Sequence, residues 1–298
     1  HGPFDGVIVM SLRRLGLAPL REFRRAGVPS VVTVNDDWPV AYALPASMPR
    51  WRRMIEQILS APKILQRADV EKVVYLSHAV RKVVERAGAP FPDWTQQFQG
   101  VDRRRFTPAP TRTQSRDRRR VLFSGRLHPS KGPEFVIDAL AALREQGRDV
   151  ELVFAGAAHD AAYDAALRAR AERRGVAAFI QWLGHVDREA LPAVYQSADV
   201  CVFISTLAHE GQGLTYLEAM ACGVPVVAWP SGGAAEFLDQ FPVARRAGAL
   251  TGSALAADIG ALLDHPEDAA RLRADALQMI EQHASLDVYV GALESAIA

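Results

Sequence analysis

Short runs of Val, Ile, Leu and Phe alternate along this chain with longer segments in which apolar residues recur at the helical period. Strands buried on both faces of a parallel sheet produce such continuous apolar runs, and amphipathic helices produce the longer segments. The predicted strands are residues 6–10, 30–34, 73–76, 121–127, 150–155, 179–183, 199–204 and 226–229. The alternation predicts an α/β fold with parallel sheets flanked by helices.

Helices are predicted between these strands and after the last of them. They are residues 17–26, 49–67, 78–87, 133–145, 160–175, 188–196, 214–222, 253–263, 266–283 and 287–297. Ser77 and Asp187 directly precede two of the helices and are predicted to cap them, because their side chains accept hydrogen bonds from first-turn N–H groups. Gly232 and Gly233 are predicted to form a loop that leads to Glu236.

Composition changes in the middle of the chain. Residues 107–120 are rich in Pro and then in Arg, and no apolar periodicity continues through them. We place a linker at 109–120, between a first domain at 1–108 and a second domain at 121–284. The arginines of this segment alternate with no aromatic residues and the net charge is only +1, so nucleic acid is not a predicted partner.

The cysteines and the hydropathy of the chain indicate the cellular compartment in which the protein works. The two cysteines, Cys201 and Cys222, fall in an apolar strand and a helix, which indicates reduced thiols and a cytoplasmic location. No apolar run is long enough to span a bilayer. Arg50, Trp51 and Arg52 begin an amphipathic helix that either touches an anionic membrane surface or presents a solvated face with a buried Trp, and we favour the second.

The most informative segment is residues 209–228, HEGQGLTYLEAMACGVPVVA. Glu210 and Glu218 lie eight positions apart, with Gly211 and Gly213 between them, and a helix-forming run follows. Glycines allow close backbone approach, and a helix N-terminus offers unpaired N–H groups to a phosphate. Both carboxylates are therefore predicted to face one cleft. Taken alone, a pair of glutamates at this spacing is more often two solvated acids.

A second segment places two cations at the end of a predicted strand. Gly125 and Arg126 end the strand, and Lys131 follows across a short loop, just before a helix that Pro133 opens. Cations beside a helix N-terminus can bind a diphosphate and stabilise it as a leaving group. The alternative is that both are ordinary exposed surface cations.

Together the two segments resemble the Glu-x7-Glu signature and the GRL-x3-KG segment of the family-4 retaining glycosyltransferases. The resemblance is strong over 121–298 and weaker over 5–108. It implies the GT-B architecture, two Rossmann-like domains facing a cleft, with a nucleoside-diphosphate sugar on the second domain and the acceptor on the first. Residues 285–298 are expected to form a helix that packs back on the first domain.

The same resemblance implies roles for individual residues. The catalytic set is Glu210 beside the donor sugar, with Arg126 and Lys131 on the diphosphate. Glu218 is expected to bind the ribose. The other expected donor-binding residues are Gly125, Val186 near the base, Gly211, Gly213, Leu214 and Thr215.

The implied chemistry is transfer with retention of anomeric configuration and without a metal or cofactor, since no Asp-x-Asp occurs in the chain. The leaving phosphate would help to deprotonate the acceptor, which could be a glycan, a lipid or a small molecule. Two alternatives stay open. The chain could bind a nucleotide sugar, or support a partner subunit, without transfer, or it could be an isomerase of nucleotide sugars.

The chain departs from the family pattern in four ways. Asn35 stands where the family usually has His, Gln99 where it commonly has Asn, and Gln212 where it often has an aromatic residue. The first domain also begins at about the fourth strand of a complete Rossmann-like domain. We therefore expect an incomplete first domain whose sheet has an unprotected edge, and a fragment is the favoured explanation.

Overall fold

The structure is a computed structural model that describes residues 4–12, 15–44, 48–59, 69–89, 91, 93–109, 118–208 and 210–297. These residues form two parallel sheets, each covered by helices, with the first sheet built before the linker region and the second after it. The predicted α/β class with parallel sheets is therefore confirmed. Residues 110–117 of the predicted linker lie outside the described residues.

The first sheet has four strands in the order β1-β2-β3-β4, all parallel. Edge strand β1 pairs only with β2 within the described residues, which agrees with the expected open edge. Its elements are β1 (Val7–Val9), α1 (Ala18–Arg25), β2 (Ser30–Val34), α2 (Arg50–Leu59), β3 (Lys72–Tyr75), α3 (His78–Arg86) and β4 (Trp94–Gln96).

The second sheet has six parallel strands in the order β10-β9-β8-β5-β6-β7. The chain winds outward from β5 to β7, then crosses back to place β8 on the other side of β5, which creates a topological switch point. Its elements are β5 (Arg119–Ser124), α4 (Pro133–Glu145), β6 (Val150–Ala155), α5 (Ala161–Arg173), β7 (Ile180–Gly184), α6 (Leu191–Gln196), β8 (Val200–Ile204), α7 (Thr215–Ala221), β9 (Val226–Trp229), α8 (Gly232–Gln240), β10 (Arg245–Arg246), α9 (Gly252–Asp264) and α10 (Pro266–His283).

Strand β8 illustrates why its sequence is apolar without alternation. All five of its residues are buried. Cys201 and Phe203 belong to the core on the side of α7 and α10, whereas Val200, Val202 and Ile204 belong to the core on the side of α4 and α9. Because successive side chains of a strand point to opposite faces, a sheet covered on both faces needs apolar residues at every position.

The last helix, α11 (Leu286–Ile297), returns to the first sheet. Its Tyr289 and Leu293 pack against Val31 of β2 and Val74 of β3 in a small apolar cluster. The C-terminal segment therefore fastens the two halves of the chain together.

Most predicted elements are confirmed, and the differences concern element bounds, one loop, one helix cap and two short strands. Strand β5 begins at Arg119, inside the predicted linker. Gly232 and Gly233 form the first turn of α8 and not a loop. Ser77 caps α3 as predicted, but α6 begins only at Leu191, after a turn, so Asp187 does not cap it. Strands β4 and β10 were not predicted, because they are short and only partly buried. The helix predicted at 49–67 is confirmed to residue 59, and 60–68 lie outside the described residues.

The face of α2 differs from the favoured interpretation. Trp51 is 64% exposed and not buried, and Met54 and Ile55 beside it are 60% and 43% exposed. Arg50 and Arg52 on the same helix are exposed as well. The helix therefore presents a mixed apolar and basic surface within the described part of the first domain.

A substitution at Gly100 tests how closely the start of α11 packs against the first domain. A Cβ added to Gly100 would lie 2.1 Å from the carbonyl oxygen of Ser285, just before α11. We expect Gly100→Ala to lower the free energy of unfolding by about 1–3 kcal/mol, the usual cost of overpacking, measured by urea denaturation. The control is Gly291→Ala on α11, where a Cβ meets nothing within 4 Å. That change should stabilise the helix by about 0.5–1 kcal/mol, and equal losses in both variants would contradict the assignment.

Candidate active site

A cleft of about 520 Å³ opens at the carboxyl ends of the second sheet, beside the switch point between β5 and β8. Ligands of open α/β sheets bind at such switch points, because the loops from neighbouring strands diverge there. Of the predicted site residues, five line the cleft: Gly125, Arg126, Val186, Thr215 and Glu218.

The floor of the cleft is backbone that follows β5 and β6. Gly125 has φ 132° and Gly156 has φ 154°, values that favour glycine. A Cβ on Gly156 would lie 1.9 Å from the carbonyl oxygen of Gly125. The two strand ends therefore approach too closely for a side chain on Gly156.

Arg126 lies at the cleft wall with an exposed side chain, and no acidic residue of the described chain pairs with it. Lys131 ends a short 3₁₀ turn before α4 and does not line the cleft. Its ammonium forms an ion pair with Glu210 Oε2. The two predicted cations therefore differ: one is available to a ligand, and the other is held by a carboxylate.

Glu210 follows β8 and is largely buried. Its side chain is 14% exposed, and that of Lys131 is 20% exposed. The Ser205 hydroxyl donates a hydrogen bond of 2.7 Å to the same carboxylate oxygen that Lys131 contacts. This ion pair offsets part of the hydration that both groups lose on burial.

The loop between the two glutamates is fastened to the first domain. The backbone N–H of Gln99 donates to Gln212 Oε1 at 2.7 Å, and Gln212 Nε2 donates to the Gln99 carbonyl at 3.3 Å. A Cβ on Gly211 would lie 2.3 Å from the carbonyl oxygen of Asn35. The close approach predicted for Gly211 is thus made to the protein itself. Gly213 adopts φ 83°, which favours glycine.

A further contact crosses between the domains at the helix starts. The backbone N–H of His78, the first residue of α3, donates to Glu236 Oε2 of α8 at 2.8 Å. A Cβ on Gly233 would lie 1.6 Å from the Gly211 carbonyl oxygen and 2.6 Å from the Ser77 hydroxyl. Glu236 and Gly233 therefore hold the second domain, the loop at 210–213 and the first domain together.

Glu218 is the buried carboxylate of the cleft, with 5% of its surface exposed. Tyr195 Oη lies 2.9 Å from Glu218 Oε2, and Arg188 Nη1 lies 4.0 Å from Oε1. Burial raises the pKa of Glu218, and the Tyr195 hydrogen bond and the Arg188 charge partly offset that rise. Such a carboxylate is an acceptor for hydroxyl groups that enter the cleft.

The predicted residues thus fall into two neighbouring groups. Glu218 lines the cleft, whereas Glu210 is not among the lining residues and pairs with Lys131 at the end of β8, so the prediction that both carboxylates face one cleft is not met. Gly211, Gly213 and Leu214 join the groups along the chain, and Leu214 directly precedes α7. Sequence reasoning missed Ser124, Arg188, Tyr195 and the role of Ser205. Ser124 and Ser205 each follow an apolar run at a strand end, which was a usable signal, but Tyr195 resembles an ordinary core residue.

Comparison with known proteins assigns this architecture to a family. The sequence profile described as "Glycosyl transferases group 1" matches residues 110–279. The chain belongs to this family. The profile includes the strand-end segment with Arg126 and Lys131 and the whole loop that carries Glu210 and Glu218.

Two curated proteins are relatives of this glycosyltransferase chain. It is 31% identical over 283 residues to the GDP-mannose-dependent alpha-(1-6)-phosphatidylinositol monomannoside mannosyltransferase of Mycolicibacterium smegmatis, covering 91% of this chain and 69% of that protein. It is 36% identical over 149 residues to the D-inositol 3-phosphate glycosyltransferase of Jonesia denitrificans, covering 45% of this chain and 34% of that protein. The matched regions are therefore only part of each relative's length.

Solved structures agree on the fold. The structure of Anabaena Alr3699/HepE in complex with UDP and glucose has a TM-score of 0.75 at 20% identity, covering 98% of this chain and 77% of that one. Sucrose-phosphate synthase from Thermosynechococcus elongatus has a TM-score of 0.71 at 20% identity, covering 98% and 72%. The fold of this glycosyltransferase chain is of the GT-B type.

Proposed function

We propose that this chain is a retaining glycosyltransferase that moves a sugar from a nucleoside diphosphate to an acceptor without a metal ion. One observation carries the proposal. A buried carboxylate, Glu218, lines a cleft at the topological switch point, and the Lys131–Glu210 ion pair lies at the neighbouring strand end. This arrangement provides an acceptor for ribose hydroxyls and cationic groups for a diphosphate.

Donor charge is the first requirement. Arg126 is exposed at the cleft and has no acidic partner among the described residues. Lys131 is already oriented by Glu210, and a diphosphate oxygen can compete for its ammonium protons. Preorganised cations stabilise negative charge that develops on a leaving group without reorganisation during the reaction. In this proposal Arg126 and Lys131 carry out that role, with the amides after Gly213 and Leu214.

Retention of the anomeric configuration is the second requirement of the proposed reaction. Glu210 is engaged by Lys131 and Ser205, so a free nucleophilic carboxylate is not the role we propose for it. Front-face departure requires no such nucleophile. The leaving phosphate accepts the acceptor's hydroxyl proton on the same face, and Glu210 orients the donor sugar.

The relatives' names and one surface of the chain support a proposal for the acceptor class. The relatives' names specify phosphatidylinositol mannosides and inositol 3-phosphate as substrates. The exposed Trp51 and Met54 on α2, with Arg50 and Arg52, form a surface suited to an anionic lipid interface. We therefore propose an inositol-bearing phospholipid as the acceptor and peripheral contact with the membrane. In the described part of the chain, no helix has the length and apolar character needed to cross a bilayer.

Nucleotide binding is the first prediction. Calorimetric titration with UDP, GDP, ADP and dTDP should give tight binding of one of them, with the same affinity in EDTA and in Mg²⁺. We expect GDP, since the mannosyltransferase relative is GDP-mannose-dependent. Absence of binding to all four would contradict the donor site. An affinity that depends on Mg²⁺ would contradict the metal-independent mechanism.

Turnover tests the two cations. Lys131→Ala and Arg126→Ala should each lower the rate at which GDP is formed from GDP-mannose, with phosphatidylinositol as acceptor, by about a hundredfold. Each change removes a cation that stabilises the negative charge of the leaving diphosphate. The control is Arg271→Ala on α10, which removes an exposed cation that does not line the cleft. Unchanged initial rates in either site variant would disprove that residue's role. If the unaltered protein binds GDP but forms no GDP from GDP-mannose, the binding-module alternative is favoured.

Membrane contact is tested by co-sedimentation with vesicles. The unaltered protein should sediment with phosphatidylinositol-containing vesicles more than with pure phosphatidylcholine vesicles. Trp51→Ser should weaken that binding, and Arg50→Glu with Arg52→Glu should abolish the preference, because the basic charges supply the attraction to anionic lipid. Arg271→Glu is the charge control. Equal loss in this control would contradict a specific contact through α2.

A further inference from the structure

A fully buried tyrosine connects strand β5 to the carboxylate of the cleft. Tyr195 on α6 is 0% exposed, and its ring packs edge-on against Phe106 at 6.0 Å between centroids. Its hydroxyl oxygen lies 2.9 Å from Ser124 Oγ and 2.9 Å from Glu218 Oε2. Ser124 ends β5 and lines the same cleft as Glu218.

The chemistry of these groups fixes the direction of the hydrogen bonds. An ionised carboxylate can only accept, so the single phenolic proton points to Glu218. The Ser124 hydroxyl can then donate to the phenol oxygen. Burial raises the pKa of the Tyr195 phenol well above its ordinary value, so the phenol stays a donor at any working pH.

We propose that Tyr195 is a positioning residue of the donor site, which holds Glu218 Oε2 so that the carboxylate faces the ribose hydroxyls of the nucleotide. The inference rests on the proposed function and extends it to a residue that touches no substrate. Its geometric basis is the division of the two carboxylate oxygens. Tyr195 contacts Oε2 inside the core. Oε1 lies 4.0 Å from Arg188 Nη1, and the Arg188 side chain is 57% exposed.

The same hydrogen bond affects ionisation. Charged and titratable groups face Glu218 from three sides: Arg188 before α6, Tyr195 on α6, and the thiols of Cys201 on β8 and Cys222 after α7. Burial raises the pKa of both thiols to about 12, so they are neutral. Tyr195 and Arg188 are therefore the groups that oppose the effect of burial on the Glu218 pKa. Without the phenol, that pKa rises further.

The test uses Tyr195→Phe, which keeps the ring and removes only the hydroxyl. UDP, GDP, ADP and dTDP are titrated into the unaltered chain and the variant, each beside its 2′,3′-dideoxy counterpart. For the nucleotide that the unaltered chain binds, Tyr195→Phe should weaken affinity about tenfold, as expected for a hydrogen bond to a charged group. Affinity for the dideoxy counterpart should change less than about twofold, because no ribose hydroxyls remain for Glu218 to accept from.

The pH dependence gives a second measurement. The ionised carboxylate accepts stronger hydrogen bonds than the protonated group, so affinity falls as the pH drops through the Glu218 pKa. Since Tyr195→Phe raises that pKa, the acidic decline in affinity should begin at a higher pH in the variant. Ser124→Ala, which removes the group that orients the phenol, should shift affinity in the same direction by a smaller factor.

A matched control is Tyr75→Phe in the first domain. Tyr75 is also fully buried, and its hydroxyl has no hydrogen-bond partner among the described residues. That variant should leave nucleotide affinity and its pH profile unchanged. Equal weakening of the ribo and dideoxy nucleotides by Tyr195→Phe, or no weakening of either, would overturn the positioning role. Failure of the unaltered chain to bind any of the four nucleotides would instead overturn the donor site, and this inference with it.

Discussion

The burial of a carboxylate at the carboxyl edge of the second sheet is the constraint on which the site depends. An ionised group loses hydration in such a place and must recover the loss from hydrogen bonds and charges. Glu218 recovers part of it from Tyr195 on one oxygen and from the nearby Arg188 on the other. The site therefore needs the ends of β5 and α6 at fixed positions, and the apolar core beneath them supplies that rigidity.

The second buried carboxylate follows the same rule with a different partner. Glu210 is held by Lys131 and by the Ser205 hydroxyl, so its charge is balanced inside the protein. Removing one member of such a pair leaves an uncompensated charge, which is strongly destabilising. The two glutamates share one loop and helix but have distinct electrostatic environments, and this supports distinct roles for them.

Domain contact and site geometry are coupled through the loop that carries Glu210. Gln212 pairs with the backbone of Gln99, and Gly211 touches the backbone of Asn35. A displacement of the first domain would thus move the loop between the two glutamates. The three positions that depart from the family pattern, Asn35, Gln99 and Gln212, all lie at this junction, where the backbones of Asn35 and Gln99 make the contacts.

The sequence by itself determined the α/β class, nearly all of the buried strands, most helices and the two segments that carry the residues of the candidate site. Apolar runs and glycine positions express local and burial requirements that can be read along the chain. Only the tertiary structure decided what each polar group contacts: the exposure of Trp51, the Lys131–Glu210 pair and the Tyr195–Glu218 hydrogen bond. Those contacts join residues far apart in sequence, and a buried tyrosine has the same one-dimensional pattern whether its hydroxyl is idle or engaged.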